Sequence, residues 1–330
     1  MKHAIVVNEY QAVDGLDDAS VDDFAASQEN RGTGSMPQGL SIVIPAYNEE
    51  TGLGLVLAQL SRALTGSGLS YEVIVVDDGS HDDTATIAEQ HHGVTLLRHQ
   101  QNRGYGAALK TGIRRAHFGL ICTIDADGTY PAGIVPDLVE RMVKGDYDMV
   151  VGARTGDKRA VPLVRRPAKW AIGRLANFVA GQSIPDPNSG LRVFRREAAL
   201  QLFSVLPNSF SFTTTITLAL LTNGYLVNYV PVNYYARVGR SKIRPIRDTL
   251  NFIQLTLRIA LYFAPLKIFL SLSALLFMAA LGWALFSLFV LGRLADVSTL
   301  VVVMAAIQVS VVGMLAELIN RRLPNYYREE

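Results

Sequence analysis

One cysteine, Cys122, stands among 330 residues. An intrachain disulfide framework is therefore excluded, and a reducing compartment suits the chain. The six histidines include a single adjacent pair, His91–His92, with no cysteine or histidine partner at metal-finger spacing, so no structural zinc site is expected. Charge is also scarce: 18% of residues are charged against 49% hydrophobic, and the net is only +2. No nucleic-acid partner is expected from such a balance. The chain does not open with a basic start and an apolar core of about 7–15 residues, so no secretory signal is expected.

The charge that is present is segregated by sign. Residues 9–29 carry seven acids (Glu9, Asp14, Asp17, Asp18, Asp22, Asp23, Glu29) and no base. Residues 1–39 show no sustained periodicity and read as an acidic, disordered tail. Residues 237–258 carry Arg237, Arg240, Lys242, Arg244, Arg247 and Arg258 against Asp248 alone.

From Leu40, short apolar runs alternate with helical spacing. Strands are expected at Leu40–Pro45, Glu72–Asp77, Val94–Arg98, Leu120–Asp125 and Met149–Gly152. Helices are expected at Glu49–Leu64, Asp82–Gln90, Tyr105–Ala116 and Ile134–Val143. Strands rich in β-branched residues and separated by helices imply an α/β fold with a doubly wound, mostly parallel sheet covered on both faces. Ligands bind such sheets beyond the carboxyl ends of the strands. Residues 154–236 are less regular. Their basic stretch (Lys158, Arg159, Arg165, Arg166, Lys169, Arg174) is interleaved with apolar residues, which suits a helix on an anionic membrane surface better than nucleic acid.

The last third holds two long apolar runs, Ile268–Leu291 and Leu300–Ala316, against the ~20 residues that cross a hydrocarbon core. The short link Gly292–Ser298 makes them an antiparallel hairpin. Arg247, Arg258, Lys267, Arg321 and Arg322 flank the outer ends while Arg293 alone lies in the link. The globular part and both termini are therefore expected on the cytoplasmic side of the inner (plasma) membrane. Ile246–Pro265 reads as interfacial. Gly282, Ser287, Gln308 and Gly313 permit helix association, which leaves a homo-oligomer open. The expected division is a tail at 1–39, a catalytic domain at 40–236, a basic juxtamembrane loop and interfacial helix at 237–265, the hairpin at 266–320 and a cytoplasmic tail at 321–330.

Polar clusters fall at the strand ends. Pro45-Ala46-Tyr47-Asn48-Glu49-Glu50 follows the first strand, where helix N–H groups can meet a ligand or simply close a capped turn. Asp77 and Asp78 end the second, where an acid can accept hydrogen bonds from a base or ribose; Asp82 reads as a helix cap. Asp125-Ala126-Asp127 ends the fourth. In a turn, two such carboxylates converge on one hard cation with its phosphate ligands, or they are merely solvated. Asp186 to Arg192 precedes another apolar stretch, and Arg237 to Lys242 precedes the membrane; arginines there hold phosphate or serve as the positive flank. Gly104-x-Gly106 lacks the third glycine and downstream acid of a dinucleotide fingerprint and reads as tight backbone packing.

In this order, IPAYNEE, VVDDGS, DAD, SGLR and RVGRSK resemble glycosyltransferase family 2, and more narrowly its polyprenyl-phosphate glycosyltransferases, over about residues 40–245. The paired spans resemble the subgroup with its own membrane hairpin. The resemblance implies a GT-A fold, a nucleotide-sugar donor, a divalent cation (Mg2+ or Mn2+) and a polyprenyl-phosphate acceptor drawn from the lipid bilayer. It implies nucleotide-sugar contacts from Pro45, Ala46, Tyr47, Asn48, Glu49, Asp77, Asp78, Asp125, Ala126, Arg154, Arg237 and Lys242. Asp125 and Asp127 would hold the metal, with Asp127 the more direct ligand. Asp186 and Arg192 would be catalytic, and Arg192, Arg240, Ser241 and Lys242 would bind the lipid phosphate.

This sequence departs from the mannose-synthase pattern at Thr129, where a glutamine can complete the metal cage. The Q-x-x-R-W motif of processive relatives is absent at both Trp170 and Trp283, which disfavours a polymer synthase. The expected reaction is inverting transfer of one sugar, first UDP-glucose or a related UDP-sugar, to undecaprenyl phosphate. A GDP-mannose enzyme is the alternative, and a non-catalytic scaffold that holds nucleotide-sugar or lipid is the second. For Asp186, orienting or deprotonating the acceptor and capping the Pro187–Gly190 turn both stay open.

Overall fold

A computed structural model of the chain describes residues 39–154, 173–174, 176–235, 261–262, 264–292 and 296–322. The acidic tail through residue 38, the basic stretch at 155–172, the 237–260 segment with Arg237, Arg240, Ser241 and Lys242, and the C-terminal tail from 323 lie outside the described residues.

Leu40–Ala46 forms β1, buried along its whole length. A strand with no polar face takes a central place in its sheet. β2 (Tyr71–Asp77) pairs on one side and β4 (Leu120–Thr123) on the other, both parallel. β3 (Val94–Arg98) continues beyond β2, also parallel. β5 (Met149–Arg154) does not neighbour β4. Between them lies β6 (Arg192–Arg195), antiparallel to both. β7 (Val227–Val232) closes the sheet parallel to β5, giving the order β3-β2-β1-β4-β6-β5-β7. The mostly parallel α/β sheet is as the sequence implies; the reversed β6 and the added β7 are not legible there.

Among the described residues, six α-helices cover the sheet: α1 (Glu50–Leu64), α2 (Thr84–Gln90), α3 (Tyr105–Arg115), α4 (Val135–Lys144), α5 (Arg196–Gln201) and α6 (Phe212–Thr222). Alternate β1 residues point to opposite faces and so enter two cores. Ile42 and Ile44 pack with Leu53, Leu57 and Leu60 of α1 and Leu138 and Met142 of α4. Val43 joins Leu109 and Ile113 of α3 and Phe212 and Ile216 of α6. Each such fully buried aliphatic contributes roughly 1.5–3 kcal/mol. α3 lies close against β1, and a Cβ at Gly112 would collide with Val43.

The register sets the site. Ala46 pairs with Asp77, Val43 with Thr123, and Arg192 with both Thr123 and Val151. The carboxyl ends of β1, β2, β4 and β5 therefore share one edge. Because β6 is reversed, its amino end, preceded by residues 186–191, arrives at the same edge.

α7 (Pro265–Val290) and α8 (Asp296–Arg322) are long enough to cross a membrane, and both have mostly exposed apolar surfaces. They pack on each other through small and polar residues. Ser273 donates to the carbonyl of Ala306 at 2.8 Å and accepts from Ser310 at 2.6 Å. Trp283 Nε1 donates to Ser298 at 2.9 Å. A Cβ at Gly313 would crowd Phe269, so this glycine serves contact within the hairpin. At the base, Val179 packs with Ala264 and Ile268, and Lys267 donates to the Val179 carbonyl at 3.4 Å. The hairpin is thereby seated on the α/β domain.

Candidate active site

The turn after β1 and the turn after β2 are zipped together. Asn48 takes the left-handed conformation (φ 51°), which Asn tolerates better than most residues. Its N–H donates to Ser80 Oγ at 2.9 Å and its Oδ1 accepts from the His81 N–H at 2.8 Å. The Glu49 N–H donates to Thr84 Oγ1 at 2.8 Å and the Glu50 N–H to Asp82 Oδ2 at 3.3 Å. The N–H groups opening α1, expected to be available to a ligand, are thus occupied by side chains of the neighbouring turn. Asp82 also accepts the Thr84 N–H at 3.1 Å, but from one position before the N-cap: the helix is entered at Asp83, which makes no side-chain cap, and not at Asp82 as the sequence suggests.

Asp77 and Asp78 are 0% and 3% exposed. Asp77 accepts the Ser80 N–H at 2.9 Å and Arg98 Nε at 3.1 Å. Asp78 accepts the backbone N–H groups of Arg103 (2.9 Å) and Gly104 (2.8 Å) and lies 2.6 Å from His99 Nδ1. The expectation that both carboxylates reach out to a nucleotide does not fit this placement. Each is turned inward, and together they shape the 78–81 and 99–104 turns.

Beyond β4 the chain bends, and Asp125 and Asp127 come to the edge half-buried. Asp125 Oδ1 accepts the Tyr105 hydroxyl at 2.8 Å. Asp127 Oδ1 accepts the Thr129 N–H at 3.1 Å and its hydroxyl at 2.7 Å. Thr129 therefore orients Asp127. Two glycines let the backbone approach. A Cβ at Gly190 would overlap the Asp125 carboxylate, and one at Gly52 would strike the Ala126 carbonyl. Burial, then the charge of Asp127, raise the Asp125 carboxyl to about 6, with the Tyr105 hydrogen bond working the other way. Among the described residues no third carboxylate, histidine or cysteine completes a metal cluster with this pair. The donor set is two carboxylates strained by mutual repulsion, which fits a hard cation whose other positions are oxygen from phosphate and water.

At the end of β5, Arg154 faces Asp186. Nε donates to Oδ2 at 2.6 Å, Nη2 to Oδ1 at 2.7 Å, and the Arg154 N–H to Oδ2 at 3.1 Å. Its guanidinium lies 5.2 Å from the Tyr234 ring, which stands edge-on to Tyr130. Burial alone would raise the Asp186 carboxyl, but the hydrogen bonds and charge of Arg154 outweigh it and hold Asp186 below its ordinary range. Gly190, on the turn that Asp186 opens, lies directly against the Asp125 carboxylate, so the two clusters meet at one sheet edge.

Arg192, expected to be catalytic and to bind lipid phosphate, is 0% exposed. It donates to the carbonyls of Ser189 and Thr213 and to Thr217 Oγ1. That reading is corrected: a guanidinium enclosed by carbonyls is a strut beneath the 186–190 turn. Ser189 and the Gly190 N–H meet the Tyr130 hydroxyl in the same support. The structure thus gathers Asp125, Asp127, Arg154 and Asp186, with the 45–49 segment nearby, and turns Asp77, Asp78 and Arg192 inward. Sequence reasoning passed over Tyr105, Tyr130, His99 and Tyr234. The only signal for Tyr105 was the Gly104-x-Gly106 pair, whose tight packing is realised against the carbonyls of Asn208 and Pro207.

The family model Glycosyl transferase family 2 matches residues 41–203, and the GtrB C-terminal hairpin matches residues 264–321. A dolichyl-phosphate hexose transferase of Haloferax volcanii is 32% identical over 207 residues, covering 62% of this chain and 87% of that protein. A dodecaprenyl-phosphate galacturonate synthase of Rhizobium johnstonii is 27% identical over 323 residues, 91% of this chain and 93% of that one. An undecaprenyl-phosphate 4-deoxy-4-formamido-L-arabinose transferase of Klebsiella pneumoniae is 32% identical over 265 residues, 78% and 77% respectively. In structure, the chain is similar to glucosyl-3-phosphoglycerate synthase of Mycobacterium tuberculosis in complex with Mg2+ and uridine diphosphate. The TM-score is 0.54 at 23% identity, covering 70% of this chain and 83% of that one, a likeness of fold.

Proposed function

Because the chain belongs to glycosyl transferase family 2 and also carries a GtrB C-terminal hairpin, we propose that this glycosyltransferase moves one sugar from a nucleotide diphosphate to polyprenyl phosphate at the inner membrane. The observation that carries the reading is the meeting of Asp125, Asp127 and the Arg154–Asp186 pair at one sheet edge, in a chain that continues into two apolar helices. The names of the relatives support a polyprenyl-phosphate acceptor.

A lipid monophosphate has a second pKa near ~6, so its oxygen is already an anionic nucleophile at neutral pH. Catalysis then consists of placing that oxygen in line with the anomeric carbon and stabilising the departing diphosphate. A single displacement of this kind inverts the anomeric centre. Asp125 and Asp127 would hold Mg2+ or Mn2+, which offsets the charge of the leaving diphosphate when bound. Arg154 faces the same phosphates. Asp186, held as a carboxylate by Arg154, is too weak a base for the proton of an acceptor and acts by fixing the guanidinium. Thr129 and Tyr105 hold the two aspartates in place.

A cleft of about 740 Å³ lined by Arg174, Asn177, Phe178, Gln182 and Ser271 lies between the 176–180 helical segment and α7. It supports entry of the lipid beside the hairpin. The basic flanks of the spans support a cytoplasmic active site and cytoplasmic termini. Arg237 and Lys242 would close over the donor phosphates from the juxtamembrane segment, and Arg240, Ser241 and Lys242 would bind the lipid phosphate. UDP-glucose or a related UDP-sugar is the proposed donor, with GDP-mannose next.

The test is a radiolabel transfer assay with the purified full chain, undecaprenyl phosphate, Mn2+ and a panel of UDP- and GDP-sugars. Label entering the organic phase from one donor, and only with the lipid present, is the expected result and names the sugar. Transfer to a water-soluble acceptor instead overturns the lipid assignment.

A further inference from the structure

The Asp78 carboxylate and the Asp125 carboxylate sit at the ends of different strands, yet one short stretch of chain joins them. Asp78 accepts three donors: His99 Nδ1 at 2.6 Å, the Arg103 N–H at 2.9 Å and the Gly104 N–H at 2.8 Å. Gly104, at φ 103°, is the residue on which α3 begins. No L side chain fits there, since the conformation is left-handed and a Cβ would meet the Asn208 carbonyl. The next residue, Tyr105, lays its ring 5.1 Å from that of Phe210 and donates its hydroxyl to Asp125 Oδ1 at 2.8 Å.

His99 is held from behind. Its side chain is 6% exposed and that of Asp78 4%. A carboxylate only accepts, so Nδ1 carries the proton, and Nε2 lies 3.0 Å from Thr111 Oγ1 on α3. The line Thr111–His99–Asp78 therefore runs from the second turn of α3 back to the N–H groups at its start. It clamps the helix entrance that carries Tyr105.

We propose that Tyr105 is a positioning residue for Asp125, and that the buried Asp78–His99–Thr111 line positions Tyr105 through the 103–104 backbone. The hydroxyl fixes which Asp125 oxygen faces the cation, and the clamp fixes the hydroxyl. This rests on the reading of Asp125 and Asp127 as the metal-holding pair, and the experiment separates the two.

Mn2+ binding to the full chain with UDP present is measured by electron paramagnetic resonance, with thermal unfolding of each variant alongside. Wild type should bind Mn2+ and Asp127→Ala should not; equal binding by both removes the metal-site reading itself. Given that difference, Tyr105→Phe should weaken Mn2+ binding about tenfold, the loss of one hydrogen bond to a charged group. His99→Leu should weaken it in the same direction, and His99→Asn, which keeps a donor near Nδ1, should restore most of it. The double variant Tyr105→Phe, His99→Leu should bind no more weakly than Tyr105→Phe alone. Should His99→Leu not fold, Thr111→Val, which removes the far partner of the same line, takes its place. Wild-type affinity in Tyr105→Phe overturns the proposal, as does full additivity in the double variant.

Discussion

Arg154 grips Asp186 through one edge of its guanidinium, Nε and Nη2, and through its backbone N–H, at 2.6, 2.7 and 3.1 Å. A carboxylate held in that way is a clamp for the arginine. The sequence leaves Asp186 open between orienting or deprotonating the acceptor and capping the Pro187–Gly190 turn; it does accept the Asn188 N–H of that turn at 3.3 Å, and its grip on Arg154 adds a third role.

Asp186→Asn should therefore act through Arg154. The expected result is a kcat lower by roughly 10²-fold, the scale of a misplaced charge-stabilising donor, with a smaller change in donor KM. Steady-state kinetics read the split, and a selective rise in KM would reassign Asp186 to donor binding. The pair also has a pH signature. The folded-state value lies below the ordinary 3.8, so its stabilisation is present above that value and is lost as pH falls through the lower, folded one. Acid titrations of wild type and Asp186→Asn should converge at the acid end.

Asp125 has the opposite sign. Its carboxyl, raised to about 6 by burial and by Asp127, binds its proton more tightly folded than unfolded. Metal-free protein should lose stability as pH rises from about 4 to about 6 through this group, and Mn2+ should offset the loss. Mn2+ affinity should fall as pH drops below about 6, because the proton competes for the same oxygens. Calorimetric unfolding with and without metal across that window checks both statements.

Gly190→Ala adds one carbon where the Asp125 carboxylate already sits. Transfer activity should be abolished, with Mn2+ binding lost alongside it. Retained metal binding would show that Asp125 moves aside without cost.

Arg192→Met removes the guanidinium and leaves the buried carbonyls of Ser189 and Thr213 without their donor. A loss on the order of 3 kcal/mol is expected, read as a melting temperature several degrees lower. A variant with wild-type stability and no activity would return Arg192 to the phosphate.

The first five strands were legible because each is an apolar, β-branched run framed by helical spacing. β6 was not: Arg192-Val-Phe-Arg195 is four residues long and its buried end is an arginine. α6 misleads more directly. Phe-Thr-Thr-Thr-Ile-Thr has strand propensity, yet it is helical, with Thr215, Thr217 and Thr222 returning their hydroxyls to carbonyls four residues back. Its burial on nearly all sides overrides propensity. At the site, Asp125 and Asp127 stood out as a pair after a buried strand. Their holders did not, because Tyr105 and Gly190 reach Asp125 from distant points in the chain and leave no local period. Asp78 was visible as an acid at a strand end, but nothing local tells that it points inward to His99.

The reversed strand β6 also dictates an order of birth. β5 is synthesised before β6, but the place it must occupy borders β6, not β4. A nascent chain that has reached Arg154 can pair β1 to β4 and nothing more; β5 must wait for the strand that will lie between. Asp186 lies on the segment that leads into β6, so the Arg154–Asp186 clamp can close only after that segment has been made. All seven strands precede Pro265 in the chain, so every piece of the catalytic edge has been translated before the first apolar span, and the ribosome makes the enzyme before its anchor.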